Sequence, residues 1–562
     1  MDHATGTPAG GADRDEGRKA PGLTTVVGAS AAGTAFEWYD FFIFGSLTAV
    51  IARHFYADVG EATSYILALL TFGVGFVVRP LGALVFGWFG DRTGRKKTFL
   101  VTITLMGVAT VAIGLLPDYS QIGIAAPILL LLMRVLQGFA LGGEYGGAAI
   151  YVAEHAPPTK RGFLTGWIQT TAALGLIGAL TVILVTRAAL GAEAFDAWGW
   201  RIPFLLSLVL LVISLWIRLK LNESPAYKTM EAEGGARRAP YREAFGTWRH
   251  GRFVLIALFG IMIAQGAVWY CGYFYTRFFM ERVLKVETAT VDMLVLGVTV
   301  VSAILYVFFG WLSDRVGRKP VMLFGMILAL ATYFPGFKML TEAANPALAQ
   351  AQASAPVTVI ADPASCALQF DPVGKAAFTS SCDMAKRVLA DAGVSYRNQA
   401  AAPGTTALVR IGDVGVESRD ASSLSAAGAT AARKDVETRI KAALAQAGYP
   451  ARADPAGVDL PRVFLILLVF IAAATALYGP QAAALVELFP TRVRYTAMSL
   501  PYNIGTGWVG GLLPAASFAL VAASGNIYFG LWYSVGFTAL AVLVALIFLP
   551  ETKGRDLDRI ET

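Results

Sequence analysis

The segment Gly87-Trp-Phe-Gly-Asp-Arg-Thr-Gly-Arg-Lys96 decides the fold, because it recurs as Gly310-Trp-Leu-Ser-Asp-Arg-Val-Gly-Arg-Lys319. Each copy follows a long apolar stretch. A weaker echo pairs Glu154-His-Ala-Pro-Pro-Thr-Lys-Arg161 with Glu487-Leu-Phe-Pro-Thr-Arg-Val-Arg494. One charged turn between apolar segments can arise by chance, but two at matching places indicate an internal repeat. The sequence therefore predicts two similar halves.

The composition predicts a membrane protein. The 562 residues are 56% hydrophobic and only 15% charged, which is too apolar for a water-soluble globular protein. Twelve stretches of about 20 residues can each cross a bilayer, and each must be helical because lipid cannot satisfy exposed backbone groups. The predicted spans 1 to 12 are 24–50, 64–88, 98–116, 125–152, 163–187, 202–220, 253–279, 290–312, 320–340, 462–486, 497–523 and 527–549.

The distribution of basic residues predicts the membrane topology. The residues behind the net charge of +7 sit in short loops beside apolar segments, which argues against nucleic-acid binding. The basic loops fall on the side that also holds the two termini, so we expect both termini to be cytoplasmic in a bacterial inner membrane. These loop residues are Arg92, Arg95, Lys96, Lys97, Lys160, Arg161, Arg315, Arg318, Lys319, Arg492 and Arg494.

The spans define the predicted domain organisation. The linker between the halves is interpreted as a basic tether, with a regulatory or lipid-contacting segment as the alternative. The predicted segments are a disordered cytoplasmic tail (1–23), an N-terminal six-helix bundle (24–220), a cytoplasmic linker (221–252), a C-terminal bundle in two parts (253–340 and 462–550) and a second cytoplasmic tail (551–562).

Residues 341–461 separate spans 9 and 10 and have the composition of a soluble protein. We expect them to form a small α/β insertion on the periplasmic side. The strand-like segments are 357–362, 366–371 and 407–417, and the helical segments are 379–392 and 431–447.

Two of the three cysteines, Cys366 and Cys382, lie in this insertion. The periplasm oxidises thiols, which predicts a disulfide between them. Two buried free thiols are the alternative, because spacing alone does not fix pairing. The third cysteine, Cys271 in span 7, is interpreted as a packing residue.

Four ionisable residues in the predicted spans are candidates for proton coupling: Glu37, Asp40, Arg134 and Glu144. A charge among apolar helices is costly, so these side chains should face a cavity or one another. Glu37 and Asp40 are three residues apart on one helix face. Two carboxylates that close cannot both ionise cheaply, so one can hold an exchangeable proton. Structural bonds to neighbouring helices are the alternative.

Several motifs carry a family resemblance. The duplicated Gly-x3-Asp-Arg-x-Gly-Arg-Lys loop, the twelve spans and the central linker resemble the major facilitator superfamily. Three further segments, Glu37-Trp-Tyr-Asp-Phe41, Arg79-Pro80 and the glycine-rich run 134–147, are similar to its metabolite:proton symporter family, which contains carriers for proline and betaine, citrate, 2-oxoglutarate and shikimate. The resemblance covers nearly all of the chain except residues 1–22 and 341–461. It implies a secondary transporter in which Arg134 takes part in proton transfer.

The sequence leaves more than one role open for the two arginines deep in spans 2 and 4. Arg134 can bind an anionic group or tune a nearby carboxylate, or it can form a permanent ion pair with Glu37 or Asp40. Arg79 implies either a substrate carboxylate or an acidic partner. Glu144 lies nearer the cytoplasm and could instead lock the cytoplasmic loops.

Polar aromatic and amide side chains suit a site for a small polar solute. For Trp269 and Tyr275 of span 7, an interfacial aromatic belt is the favoured interpretation. The candidate substrate-binding residues are Tyr39, Arg79, Gln137, Gln265, Tyr270, Tyr478, Tyr502 and Asn503.

The two repeated loops are predicted to act as conformational latches that hold an outward-facing state. The predicted latch residues are Gly87, Asp91, Arg92, Gly94 and Arg95 in the first copy, and Gly310, Asp314, Arg315, Gly317 and Arg318 in the second.

These features together predict an all-α polytopic membrane protein whose two six-helix bundles carry a small carboxylate-bearing metabolite in symport with a proton. That metabolite would be an organic acid or a zwitterion such as betaine or proline. An exporter of drugs or sugars, sodium coupling, and a membrane-bound sensor acting through the periplasmic insertion are the alternatives. We expect a monomer in contact with membrane lipid, without catalytic residues, metal, cofactor or nucleic-acid partner.

Overall fold

The computed structural model describes residues 23–57, 61–219, 240–246, 248–367 and 378–557. Several predictions concern residues outside these ranges. They are the tail 1–22, the linker between 220 and 239, and part of the predicted strand 366–371.

Eleven of the described helices are long and apolar enough to cross a membrane. Most of these helices extend a few residues beyond the predicted ends, into segments that were predicted as loops. Spans 2 to 6 are Glu61–Thr93, Arg95–Leu115, Ala125–His155, Arg161–Leu190 and Arg201–Leu219. Spans 7 to 12 are Gly251–Val283, Thr288–Val316, Arg318–Ala344, Leu460–Leu488, Arg494–Val521 and Leu531–Phe548.

Span 1, Leu23–Ser46, is a 24-residue helix that falls outside this group of eleven. It carries Glu37 and Asp40 and packs against spans 4, 5 and 6, so it belongs to the N-terminal bundle. Shorter helices join the spans, including Thr48–Phe55, Tyr119–Ile122 and Pro240–Phe245.

The two halves meet along two pairs of helices. Span 2 packs against span 11, and span 5 packs against span 8. Spans 7 and 11 are not regular α-helices, since π-helical turns interrupt them at Leu258–Met262, Cys271–Tyr275, Phe279–Val283 and Ile504–Gly510. Such turns occur frequently at functional sites.

The insertion contains a four-stranded sheet in the order β2-β1-β3-β4. Strands β1 and β2 are parallel, whereas β1–β3 and β3–β4 are antiparallel. The strands are β1 Val357–Ala361, β2 Tyr396–Ala400, β3 Leu408–Ile411 and β4 Val414–Glu417, and the main helices are Ser381–Asp391 and Ala426–Gln446. The predicted strand 407–417 is a hairpin of two strands. Residues 366 and 367 are not in a strand, contrary to the prediction.

The insertion begins later than predicted, because span 9 continues to Ala344. It is attached to loops of the second half. The backbone N–H of Tyr396 donates to the carbonyl of Gly525 (2.7 Å), and Lys285 Nζ donates to the carbonyl of Asp391 (2.6 Å). The insertion is therefore hydrogen-bonded to the C-terminal bundle at these two loops.

Cys366 and Cys382 are joined by a disulfide, with their Cα atoms 5.2 Å apart. The bond ties the segment after β1 to the buried first turn of the helix Ser381–Asp391. Cys271 is a buried free thiol in span 7.

We expect Cys382→Ser to destabilise the insertion by about 3 kcal/mol, because the bond closes a loop of about 15 residues in the unfolded chain. Proteolysis of the insertion in the membrane-embedded protein, followed against denaturant, measures this effect. Cys366→Ser should have the same effect, and the double variant should be no less stable than either single variant. A double variant that is clearly less stable would show that the thiols stabilise the insertion by separate packing.

Candidate functional site

The spacing of Glu37 and Asp40 in span 1 suggested that the two carboxyls form a pair. In the structure Glu37 forms an ion pair with Arg218 of span 6 instead. Arg218 Nη2 donates to Glu37 Oε1 at 2.5 Å, and Arg218 Nη1 lies 4.0 Å from Glu144 Oε1. Among the described residues, neither carboxyl oxygen of Glu144 has a hydrogen-bond partner. Two carboxyls from spans 1 and 4 therefore lie around the single cation of Arg218.

Asp40 lies in an uncharged pocket of hydroxyl groups. Ser207 Oγ of span 6 donates to Asp40 Oδ1 at 2.5 Å, whereas the nearby hydroxyl of Thr110 in span 3 donates to the carbonyl of Met106 (2.9 Å). Among the described residues, no Lys, Arg or His forms an ion pair with Asp40. Asp40 is therefore a buried carboxylate without a cationic partner in that part of the chain.

Arg134 and Arg79 are two buried cations, exposed by only 2% and 5%. Arg134 donates to Gln137 Oε1 (2.7 Å) and to the carbonyl of Phe72 (3.1 Å). Within the described residues, neither arginine forms an ion pair, and the Nε atom of each has no hydrogen-bond partner. The permanent ion pair considered for Arg134 is therefore not formed with Glu37 or Asp40. Both guanidinium groups have donors free for an anionic ligand.

Arg79 also reaches the second half of the molecule. Its guanidinium lies over the ring of Phe76, 4.7 Å from the centroid. The ring of Phe76 packs edge-on against Tyr270. Arg79 thus sits where the two bundles meet.

Aromatic rings from both halves surround this junction. Tyr145 of span 4 stacks on Tyr502 of span 11 at 3.8 Å, and Trp38 of span 1 faces Trp269 of span 7 at 6.2 Å. Tyr478 shares a hydrogen bond with Tyr502 (3.1 Å). The favoured aromatic-belt interpretation of Trp269 and Tyr275 is wrong, because both rings are at most 5% exposed and pack among helices.

The other predicted site residues have different environments. Gln265 is buried, and its Oε1 atom has no hydrogen-bond partner among the residues that the structure describes. Asn503 Nδ2 donates to the carbonyls of Gly142 and Ser499 (both 2.9 Å), while its Oδ1 atom has no partner among those residues. Tyr39 donates to the carbonyl of Pro203 (2.9 Å). The hydroxyl of Tyr39 is therefore engaged in joining spans 1 and 6.

The first repeated loop contacts the start of span 11. Asp91 accepts from Arg95 Nη1 (2.7 Å) and from the backbone N–H groups of Tyr495 (3.2 Å) and Thr496 (2.8 Å). A carboxylate is stabilised at a helix N-terminus, where backbone N–H groups lack intrahelical partners. Asp91 therefore joins the first half to the second.

The second loop makes the matching contact in the opposite direction. Asp314 accepts from the backbone N–H groups of Gly162 (2.8 Å) and Phe163 (2.7 Å), at the start of span 5, and from Arg318 Nη1 (2.6 Å). The two repeats therefore make reciprocal contacts across the interface between the halves.

The second, weaker repeat, residues 154–161 and 487–494, forms two reciprocal ion pairs between the halves. Arg494 Nη1 donates to Glu154 Oε1 at 2.7 Å, and Arg161 Nη1 donates to Glu487 Oε1 at 2.8 Å. Arg318 also contacts Glu487 (3.2 Å). All these side chains are almost completely buried. We call Asp91, Arg95, Glu154, Arg161, Asp314, Arg318, Glu487 and Arg494 the latch cluster.

The glycines of the two loops permit this close packing. A Cβ on Gly87 would lie 2.8 Å from Thr496 Cα, and one on Gly310 would overlap the carbonyl of Gly162. Gly94 and Gly317 have φ values of 110° and 112°, which favour glycine, at the turns before spans 3 and 9.

Arg92 and Arg315 lie outside the latch cluster, although the sequence placed them in it. Both are exposed, and each guanidinium stacks on a tryptophan four residues earlier, Trp88 at 5.0 Å and Trp311 at 4.1 Å. They are positioned to contact solvent or headgroups.

The segment after span 12 runs across the latch cluster. Glu551 accepts from the backbone N–H groups of Arg318 (2.9 Å) and Lys319 (3.1 Å), and Thr552 Oγ1 donates to Glu487 Oε2 (3.0 Å). The carbonyl of Arg555 accepts from Arg161 (3.1 Å). The described part of the C-terminal tail is thus bonded to both halves.

Sequence reasoning missed three side chains that complete the site: Arg218, Thr110 and Ser207. Arg218 stands near the end of span 6, where an arginine normally indicates topology. The only available signal was the excess of carboxylates on spans 1 and 4, which requires a cation on a neighbouring helix. Thr110 and Ser207 carry no such signal, since hydroxyl residues are ordinary in membrane helices.

The chain matches the family model described as "Sugar (and other) transporter" over residues 25–242 and 457–562, and the model "MFS/sugar transport protein" over residues 148–361. It is 34% identical to a glycine betaine/proline/ectoine/pipecolic acid transporter of Dickeya dadantii, over 58% of this chain and 66% of that protein. It is 36% identical to the shikimate transporter of Escherichia coli, over 55% of this chain and 71% of that protein. The chain spans slightly less than two thirds of the betaine carrier's length.

The fold is similar to that of solved transporters. The proton:xylose symporter XylE bound to 6-bromo-6-deoxy-D-glucose superposes with a TM-score of 0.62 at 16% identity, covering 95% of this chain and 98% of that chain. A partially occluded inward-open structure of XylE from Escherichia coli gives a TM-score of 0.55 at 16% identity, covering 95% and 99%. These likenesses confirm the predicted architecture of two six-helix bundles.

Proposed function

Because the chain belongs to the sugar (and other) transporter family of the major facilitator superfamily, we propose that it carries a small carboxylate-bearing metabolite in symport with protons. The family model and the transporter relatives support a multi-pass transporter of the inner membrane. The observation that carries the proposal is the pair of buried arginines, Arg79 and Arg134, whose Nε atoms have no hydrogen-bond partner within the described part of the chain.

A carboxylate is the ligand that best matches these arginines. A guanidinium is always charged and presents several donors in a planar fork, which fits the two oxygens of a carboxylate. Burying such a cation without a counter-ion is unfavourable, and a substrate carboxylate would remove that penalty. We assign Arg134 and Arg79 to substrate binding, with Gln137 holding Arg134 in place.

The surrounding rings favour a zwitterion over a simple organic acid. Trp38, Trp269, Tyr145, Tyr478 and Tyr502 enclose the junction between the halves, and aromatic faces attract quaternary or protonated ammonium groups. A betaine or proline would place its carboxylate on the arginines and its cationic nitrogen among the rings. The names of the betaine and proline carriers among the relatives support this choice.

Asp40 and the Glu37–Glu144 pair are the proposed proton carriers. A buried carboxylate without a cationic partner is the group that a proton neutralises most readily. We propose that a proton enters from the periplasm, that the substrate then binds, and that the halves rock to open the other side. In this scheme the latch cluster lies at the cytoplasmic end and the insertion lies in the periplasm.

Uptake into proteoliposomes tests the proposal. Radiolabelled glycine betaine, proline and shikimate are offered with the vesicle interior alkaline, with equal pH, and with a protonophore. We expect betaine or proline to accumulate only with the pH gradient, and the protonophore to abolish accumulation. Accumulation that follows a sodium gradient instead would overturn proton coupling. Failure of all three solutes to accumulate under any gradient would overturn the substrate class and favour the sensor hypothesis.

A further inference from the structure

A short segment of the insertion, residues 391–398, contacts two different loops of the C-terminal bundle. It runs from the last residue of the helix Ser381–Asp391 into strand β2. We call it the docking segment. Its first residues contact the loop after span 7, and its last residues contact the loop after span 11. Eight residues therefore connect the ends of two membrane spans.

The insertion approaches the end of span 7 very closely. A Cβ on Gly393 would overlap the carbonyl oxygen of Val283, the last residue of that span. In the loop that follows, Lys285 Nζ donates to the carbonyl of Asp391 (2.6 Å). The carbonyl of Lys285 accepts from the backbone N–H of Ala453 (3.1 Å), near the other end of the insertion. Residues from two parts of the insertion thus hold the end of span 7.

Lys285 has an unusual backbone conformation at this contact. Its φ is 56°, and within the described ranges it is the one residue other than glycine that has a positive φ. Such a conformation is unfavourable for a residue with a Cβ, and it persists where the surrounding contacts impose it. Both the side chain and the carbonyl of Lys285 are bonded to the insertion. The insertion therefore helps to hold the strained turn that ends span 7.

The other end of the docking segment is bonded to the loop after span 11. The backbone N–H of Tyr396 donates to the carbonyl of Gly525 (2.7 Å), and Asn398 Nδ2 donates to the carbonyl of Ser524 (3.0 Å). A Cβ on Gly525 would lie 2.5 Å from the ring of Tyr396, and Gly525 has a φ of 78°. This close approach therefore requires glycine at position 525.

The helix that precedes the docking segment lies against the same two spans. Ser381–Asp391 packs against the last π-helical turn of span 7, Phe279–Val283, and against span 11. Both spans contain π-helical turns, at which helices bend. Span 7 contributes Trp269 to the aromatic junction, and span 11 contributes Tyr502. A fixed distance between the ends of the two spans therefore limits how far these rings can move apart.

We propose that the insertion is a brace that fixes the ends of spans 7 and 11 to each other, at the face of the molecule opposite the latch cluster. Span 11 begins at Arg494 in the latch cluster, so its end at Val521 lies at the other face. The brace makes spans 7 and 11 move as one unit when the halves rock. The inference goes beyond the proposed function, because it concerns the movement of helices and not the identity of the solute or the coupling ion.

Two glycine-to-alanine substitutions test the brace. Gly393→Ala and Gly525→Ala each place a methyl group in the contact between the insertion and one loop. Gly448→Ala and Gly191→Ala are matched controls. These two glycines also have positive φ values, 84° and 82°, but no described atom lies within 4 Å of the added Cβ. All four variants therefore carry the same kind of backbone strain, whereas the first two also disturb the docking of the insertion.

Spin labels on the exposed positions Arg282→Cys and Ala523→Cys report the distance between the two helix ends in the full-length protein. We expect a narrow distance distribution in the wild type and in both controls, and a broader one in Gly393→Ala and Gly525→Ala. The backbone amide of Tyr396 should exchange with solvent faster by about tenfold or more in Gly525→Ala, because the hydrogen bonds to this loop are weakened. Neither measurement needs a solute, so failure of glycine betaine uptake would overturn the proposed function and leave this inference standing.

A second variant keeps the brace testable if the glycine variants do not fold. Lys285→Met combined with Asn398→Ala removes one side-chain hydrogen bond from each loop without changing the backbone, and it should also broaden the distribution. Distributions in the docking variants as narrow as those in the controls would overturn the brace. Equal broadening in the controls would overturn it as well, since backbone strain alone would then account for the effect.

Discussion

Arg134→Gln should raise the KM for glycine betaine uptake by about 30-fold or more, because removing one partner of a buried charged hydrogen bond costs roughly 2–5 kcal/mol. The substituted amide has a similar length but carries no charge and only two donors. The KM of Arg134→Lys should lie between those of the wild type and Arg134→Gln, since lysine keeps the charge but lacks the planar guanidinium group. Initial rates of uptake in proteoliposomes measure both effects.

Arg187→Gln is the matched control for this prediction. Arg187 is an exposed arginine in the last turn of span 5, distant in sequence and environment from the aromatic junction. Its replacement should leave the KM unchanged. An unaltered KM in Arg134→Gln would show that the substrate carboxylate binds elsewhere, and Arg79 would then be the remaining candidate.

Glu487→Gln should open the latch cluster. Glu487 accepts from Arg161, Arg318 and Thr552, and all three contacts are buried. Loss of this charge leaves two buried arginines undercompensated, which destabilises a structure by about 3–5 kcal/mol. The penalty applies only to the closed arrangement, because opening exposes both arginines to water. We therefore expect the population to shift to the state that is open at the latch end.

Distances between spin labels on spans 5 and 11 at the latch end measure this shift. Glu154→Gln should act in the same direction, because Glu154 is the counterpart of Glu487 in the repeat and binds Arg494. Glu437→Gln is the control, since Glu437 forms an exposed pair with Lys441 in the insertion and such pairs contribute little. Unchanged label distances in both latch variants would contradict the assignment of these charges to closure.

The sequence was sufficient to predict the fold at the level of helices. Hydropathy places the spans, and the duplicated loop from Gly87 to Lys96 identifies the two halves. Asp91 and Asp314 were predicted as latch residues, but it was not predicted that each meets the helix start of the opposite half. That partner choice depends on how the bundles are packed, which no local pattern encodes.

The partners of the buried charges were harder to predict, for the same reason. Helical spacing puts Glu37 and Asp40 on one face, yet span 6 brings Arg218 to Glu37 and Ser207 to Asp40. In the insertion, strand β2 was missed because its sequence Tyr396-Arg-Asn-Gln-Ala400 has one buried residue followed by four exposed ones. The strand is specified by its pairing with β1 instead of by alternating hydrophobicity.

The tail that crosses the latch cluster provides a labelling site for measuring the conformational changes of transport. Glu551, Thr552 and Leu557 are bonded to residues of the second half, and the carbonyl of Arg555 accepts from Arg161 of the first. When the halves separate, we expect the tail to stay with the C-terminal bundle and its bond to Arg161 to break. A fluorophore attached at Lys553 would therefore move with the C-terminal bundle. Its distance to a second fluorophore on span 5 would report the opening and closing of the two halves during transport.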